Sequence, residues 1–286
     1  MYQARFGLKG KPFSILPDPE CLFLGRSHHA AMVLLEHAAG ERPGFVVVTG
    51  GVGTGKTTLL RRVMLRQPRN VLAGFIANPH PRFGSLLGRV LQAFGIETLD
   101  VEPLQMIDQL ELFIGQLADA GRRALLVVDE AQVLGPELLD ELRMLSNIVV
   151  NGQMPQVILS GQAGLRDTLR CDELQQLVQR VVADCELQPL GRDETRKYIE
   201  YRLAHAGARD IGLFDDEACA VVYEYTGGVP RLINILCEDS LIFAGATNAG
   251  RIDASIVLEM ANERVRGGVL PLARELAAGE RRASFL

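Results

Sequence analysis

The chain has 286 residues, 48% of them hydrophobic and 23% charged, with a formal net charge of −5 at pH 7. This is an ordinary globular mixture, long enough for one large domain or two modest ones, and its acidic balance argues against a dedicated, non-specific nucleic-acid binder. Arg, Glu or Asp interrupts every apolar run before it reaches the length of a membrane span.

Residues 1–26 read as an irregular segment, punctuated by Gly7, Gly10, Pro12, Pro17, Pro19 and Gly25. Phe6, Phe13, Leu22, Phe23 and Leu24 are apolar anchors that tie it to the core. The opening Met1-Tyr2-Gln3-Ala4-Arg5-Phe6 has no signal-peptide h-region, so the chain is expected in the cytoplasm. Ser27 is placed to cap a helix from His28 to about Ala39, with Ala31, Leu34, Leu35 and Ala38 on one face. The apolar strand Phe45-Val46-Val47-Val48 then runs into a glycine-rich loop and a helix-forming stretch that Pro68 closes. Residues 71–76 read as a second strand, and helices around 83–94 and 103–120 stop at Gly95 and Gly121. The apolar run 124–128 ends in Asp129-Glu130, and Pro136 opens a helix to Ser146. A strand over 156–160, helical stretches near 163–170 and 172–180, and a last strand over 181–187 complete this part.

Strands without alternation, separated by helices, predict a parallel sheet covered on both faces: an α/β fold of three layers, α/β/α. After Pro189 only helices are expected, capped or opened by Asp193, Asp215, Pro230 and Asp253. The organisation predicted is an N-terminal segment 1–26 packed on the core, an α/β domain 27–190, a helical domain 191–264 and a flexible tail 265–286.

Gly50-Gly51-Val52-Gly53-Thr54-Gly55-Lys56-Thr57 matches G-x-x-x-x-G-K-[ST], with a buried strand before it and a helix after it. Glycines let the backbone fold around phosphates with its N–H groups turned inward, and the helix N-terminus adds partial positive charge. Lys56 would reach the β- and γ-phosphates of ATP, and the Thr57 hydroxyl would ligate Mg²⁺. Asp129, at the carboxyl end of a buried strand, lies where such sheets bind ligands and is suited to hold Mg²⁺, mostly through water. Glu130 is suited to orient and deprotonate the water that attacks the γ-phosphate. A small-molecule kinase does not need that second acid, so hydrolysis is favoured.

Three further places in the chain have competing readings. At the strand end Leu159-Ser160-Gly161-Gln162, Gln162 is the first candidate and Ser160 the second for a polar group between the carboxylates and the γ-phosphate, against a plain strand-end turn. Arg180 either projects into a neighbouring subunit's nucleotide or is a helix C-terminal arginine favoured by the macrodipole. Arg231, in the opening turn after Pro230, either reaches bound phosphates or is solvated. The five cysteines, Cys21, Cys171, Cys185, Cys219 and Cys237, contain no C-x-x-C pair and read as reduced core filler, with no zinc site suggested.

The order of these parts resembles the AAA+ ATPases, and more narrowly the ExeA/GspA-type ATPases of general secretion, with relatives in pilus assembly, exopolysaccharide export and transposition. The resemblance is carried by Phe6-Gly7-Leu8, Pro12-Phe13, Pro17-Asp18-Pro19, Gly51-Val52-Gly53-Thr54-Gly55-Lys56-Thr57-Thr58 and Val128-Asp129-Glu130-Ala131-Gln132. Further carriers are the run Glu141 to Asn147, Gly161-Gln162, Leu177-Val178-Gln179-Arg180, the run Tyr198 to Leu203, and Gly227-Gly228-Val229-Pro230-Arg231-Leu232-Ile233-Asn234. It implies that residues 51–58 bind ATP and that Gln162, Arg180 and Arg231 are the first sensor, the trans-acting finger and the second sensor. It also implies an ATP-dependent homo-oligomer acting as a switch or assembly motor, with protein partners at the inner membrane and a place in the cytoplasm or on the inner membrane's surface. The competing process is a DNA-associated transposition helper, in which Arg61, Arg62, Arg66 and Arg69 would track phosphates; nucleic acid is the less favoured partner.

Overall fold

The computed structural model describes residues 2–41, 44–99 and 101–267, and Leu272. The chain divides into two units, one made of Ser27–Val52 and Lys56–Leu187, the other of the chain up to Arg26, Gly53–Gly55 and the chain from Gln188 onward.

The first unit is built on β1 (Phe45–Gly50), β2 (Val71–Ile76), β3 (Arg123–Val128), β4 (Gln156–Gly161) and β5 (Val181–Leu187). They form a parallel sheet in the order β2-β3-β4-β1-β5. Phe45, Val47, Leu126, Val128, Val157 and Leu159 face a core shared with Leu91, Leu110, Ile114, Leu139 and Leu142. The alternate positions Val46, Val48, Leu125, Val127 and Ile158 are equally buried, and this double burial is why the strands read as continuous apolar runs. The helices of this unit are α2 (Arg26–Glu41), α3 (Lys56–Leu65), α4 (Leu86–Ala93), α5 (Pro103–Asp119), α6 (Pro136–Ser146), α7 (Gly164–Leu169) and α8 (Gln175–Val178). The expected helix over 83–94 starts later. Gly84, at φ 112°, separates a 3₁₀ turn at Pro81–Phe83 from α4, and the Ser85 hydroxyl caps α4 by accepting the Gly88 N–H at 3.2 Å.

The second unit holds α9 (Arg192–His205), α10 (Asp216–Thr226), α11 (Pro230–Ala246) and α12 (Ala254–Gly267) around Ile199, Leu203, Val222, Ile233, Leu236, Leu241 and Val257. Asp215 and Asp253 cap α10 and α12. α9 starts one residue before Asp193, and its cap comes from Glu194, whose carboxylate accepts the N–H groups of Gly191 at 2.9 Å and Arg26 at 2.6 Å. The segment up to Arg26 is not wholly irregular, since Tyr2–Phe6 form α1, pinned by Tyr2 Oη donating to Glu238 Oε1 at 2.7 Å. Phe13 meets Phe214 edge-on and Phe23 meets Tyr198 in the same way. Arg202, 8% exposed, donates to Pro12 O at 2.5 Å, Ser14 O at 3.0 Å and Tyr198 Oη at 3.3 Å. A charge can be buried there because carbonyls and a hydroxyl replace its water.

Of the expected tail 265–286, residues 265–267 end α12 and Leu272 is buried in the helical core; the others lie outside the described residues. No helix among the described residues is long and apolar enough to cross a membrane.

Gly228 sits at φ 74°, exchanges a main-chain hydrogen bond with Leu190 (N–H to Gly228 O, 2.9 Å), and a Cβ there would lie 1.8 Å from Leu190 O. Gly228→Ala is therefore expected to destabilise the chain by at least about 2 kcal/mol. Urea unfolding measures it, with Gly250→Ala, which meets nothing within 4 Å, expected to stay within about 0.5 kcal/mol of the parent.

Candidate functional site

Parallel pairing brings the carboxyl ends of three adjacent strands together. Thr49 pairs with Gly161 and Val128 with Leu159, so the loop after β1, the acids after β3 and the polar end of β4 share one edge. That edge is where ligands bind in open α/β sheets.

Asp129 is the centre of the arrangement. It is 2% exposed. Its Oδ2 accepts the Thr57 hydroxyl at 2.5 Å, and its Oδ1 accepts the Ser160 hydroxyl at 2.8 Å and the Glu130 N–H at 3.0 Å. Three donors from three segments thus replace the water that a buried carboxylate loses. Glu130 follows with φ 53° and ψ 36°, a left-handed conformation that side-chain-bearing residues avoid. Such strain gathers at functional positions and persists where the surroundings hold it.

The loop itself has the required shape. Gly53 and Gly55 lie at φ 80° and 99°, conformations open to glycine, and α3 begins at Lys56 so that Lys56 and Thr57 stand in its first turn. Lys56 is 6% exposed and its ammonium donates to Gly50 O at 2.9 Å and Gly51 O at 3.0 Å. Burial pushes its pKa below the usual lysine value, and the nearby Glu130 and Asp129 carboxylates pull it back only in part. A polyphosphate fits this donor set: a charged amine on a short tether, a helix N-terminus and glycine-held main-chain N–H groups. Mg²⁺ fits beside it. Thr57 Oγ1 and Asp129 Oδ2 are adjacent hard oxygens, and among the described residues no cluster of three His, Cys, Asp or Glu offers an all-protein cage.

The other sequence candidates fall as follows. Thr54 is buried, Thr58 half-buried, and Gly51 and Val52 exposed. At the end of β4 the side chain that touches Asp129 is Ser160, the second choice. Gln162 contributes its main-chain N–H, which donates to Gln132 Oε1 at 3.1 Å. Arg180 lies just past α8 and donates from Nη1 to Ser146 Oγ at 3.3 Å, at the last residue of α6. Arg231 is exposed in the first turn of α11. Within its unit, to which Gly53–Gly55 belong, its main-chain N–H donates to Gly53 O at 3.2 Å, and a Cβ on Gly53 would lie 2.7 Å from the Arg231 Cβ. Gln132, two residues past Glu130, has no role that its sequence position predicts. Gln132, in the 3₁₀ turn Ala131–Val133, donates from Nε2 to Glu130 Oε2 at 2.5 Å.

With this geometry in hand, residues 39–169 match the family described as AAA domain. The fold is that of an AAA domain. Over 255 residues, 88% of the chain, it is 36% identical to general secretion pathway protein A of Aeromonas hydrophila, and that stretch is 46% of the relative. The chain thus spans about half the length of the curated relatives it matches. The AAA+ fold is shared with the ORC2 protein of Aeropyrum pernix, solved as ADPNP–ADP complexes, at TM-score 0.67 and 16% identity over 88% of this chain and 71% of that one. It is shared also with the Aeropyrum pernix ORC1 protein in complex with DNA, at TM-score 0.62 and 20% identity over 88% and 69%.

Lys56→Ala removes the one mobile cation of the loop. Nucleotide titration by calorimetry is expected to show tight ATP binding in the parent and none in the variant; equal affinity would place the phosphates elsewhere.

Proposed function

We propose that this AAA+ chain binds ATP with Mg²⁺ and hydrolyses it, working as a switch or assembly motor for an envelope secretion, pilus or exopolysaccharide system. The observation that carries the proposal is the cluster at the strand ends: Thr57 against Asp129, Lys56 in the loop beside them and Glu130 next in the chain. In this reading residues 51–58 bind the phosphates, with Lys56 on the β- and γ-phosphates. Thr57 and Asp129 hold Mg²⁺, which when bound offsets phosphate charge. Glu130 orients the attacking water and takes its proton. Ser160 fixes Asp129, while Gln162 at the end of β4 and Arg231 at the head of α11 respond to the γ-phosphate.

Support for the envelope process comes from the 36% identity to general secretion pathway protein A. The partners would be further copies of the chain and proteins of an inner-membrane assembly, met from the cytoplasm or on the membrane surface. The arginines that would track DNA are partly engaged: Arg66 pairs with Glu36 at 3.5 Å and Arg61 lies 5.9 Å from the Phe75 ring centroid, as on a solvated helix face. The test is ATP turnover with and without duplex DNA at two salt concentrations. Turnover should depend on Mg²⁺ and ignore DNA, and Glu130→Gln should bind ATP normally yet hydrolyse about 10²–10⁴-fold more slowly. A strong, salt-sensitive stimulation by DNA would favour the transposition-helper process.

Arg180 is the proposed trans finger. A finger acts on ATP held by a neighbour, so the active form would be an oligomer assembled with ATP. Such an arginine is worth roughly 10³–10⁵ in turnover, whereas a helix-capping arginine affects stability alone. Arg180→Ala should fold and bind ATP but hardly hydrolyse it, and mixing it with Lys56→Ala should restore part of the activity. Light scattering that finds a monomer at every ATP concentration, or mixed oligomers that stay inactive, would return Arg180 to its contact with Ser146.

A further inference from the structure

Gln132 has one flat amide and uses both ends of it. Nε2 donates to Glu130 Oε2 at 2.5 Å, and Oε1 accepts the Gln162 N–H at 3.1 Å. The orientation is fixed by chemistry, since a carboxylate only accepts and a main-chain N–H only donates. The neighbourhood leaves little room for another arrangement. Gly161 lies beside the amide, and a Cβ there would come within 2.7 Å of Gln132 Oε1 and 3.0 Å of Leu165 Cδ2. Glu130 needs such a partner. Its backbone lies in the left-handed region and its N–H donates to Asp129 Oδ1, but neither sets the rotations of the long side chain.

We propose that Gln132 is a positioning residue that aims the Glu130 carboxylate and ties it to the end of β4, so that movement at Gln162 is transmitted to the base. This rests on the reading of Glu130 as the base in ATP hydrolysis. Two parallel ties then join β4 to the two acids: the Ser160 hydroxyl reaches Asp129 directly, and the Gln162 N–H reaches Glu130 through the Gln132 amide. The residue type is specific. Met at 132 keeps the unbranched stem without the hydrogen bonds, and Glu replaces the donor by a charge that repels Glu130.

The test uses Gln132→Ala, Gln132→Met and Gln132→Glu in the full chain. In nucleotide-free protein, amide hydrogen exchange at Gln162 should speed up about tenfold in Gln132→Ala and Gln132→Met, which remove the acceptor of its N–H, and stay near the parent in Gln132→Glu, whose carboxylate still accepts. In turnover, kcat should fall about tenfold or more, as for a displaced catalytic group, with KM for ATP and nucleotide affinity within about twofold of the parent. In a Glu130→Gln background the same changes should cause no further loss, since Gln132 acts through Glu130. Unchanged exchange at Gln162 in Gln132→Ala and Gln132→Met, parent-like kcat in Gln132→Met, or losses that add to that of Glu130→Gln would each overturn the proposal. A parent chain that does not hydrolyse ATP would instead overturn the assignment of the base, and the exchange measurement would still decide whether Gln132 holds the end of β4.

Discussion

A carboxylate with 2% exposure needs donors for its lost water, and the donors that Asp129 finds come from three different parts of the sheet unit. Thr57 sits in the first turn of α3, Ser160 near the end of β4, and the Glu130 N–H is supplied by an unusual backbone turn. Meeting this requirement fixes the register of β3 against β4 and the docking of α3 on the sheet edge. The register pairs Val128 with Leu159 and so brings Asp129 level with Ser160. A slip of one residue would turn Ser160 to the opposite face and take the hydroxyl from the carboxylate. The phosphate-loop helix, the acids and the strand end therefore form one hydrogen-bonded unit, and the site's preorganisation is a consequence of burying Asp129.

The helical unit solves a similar problem with the opposite charge. Arg202 is buried against the carbonyls of Pro12 and Ser14 and the Tyr198 hydroxyl, and Asn234 also donates to Ser14 O at 3.3 Å and accepts from Tyr198 Oη at 2.8 Å. Three prolines and two glycines make residues 7–19 poor in regular hydrogen bonding, so their carbonyls can accept from side chains. The N-terminal segment is thus held by a buried guanidinium as well as by Phe13 and Phe23. That explains how a stretch with so little secondary structure keeps a fixed path over α9 and α11.

Much of this was legible in the sequence because it follows from local chemistry. Doubly buried strands announce themselves as unbroken apolar runs, the phosphate loop by its glycines and Lys56, and α10 and α12 by their aspartate caps. What escaped depends on contacts distant in sequence. Ser160 rather than Gln162 touches Asp129 because β4 ends at Gly161, so Gln162 lies past the strand, whereas alternation alone would put both on one face. Gln132 stands two residues past Glu130, a spacing with no meaning until the 3₁₀ turn folds its amide back. α1 was missed because five residues carry too little propensity to predict a helix, and the Tyr2–Glu238 bond that holds it spans most of the chain.

Arg180 shows how such a distant contact changes a question. The sequence offered a helix-ending arginine on the segment before β5, but that helix is four residues long and ends before it. The guanidinium instead meets Ser146, the last residue of α6, whose hydroxyl donates to the Arg143 carbonyl at 2.7 Å. It therefore stands at the C-terminal end of another helix, where the dipole favours a cation. This contact is single, 3.3 Å long and made to a neutral hydroxyl, so its net worth is about 1 kcal/mol or less. Exchanging it for a phosphate would replace a neutral partner by a charged one, and hydrogen bonds of that kind are roughly twice as strong. The local contact thus holds Arg180 in place without binding it tightly enough to prevent its use elsewhere.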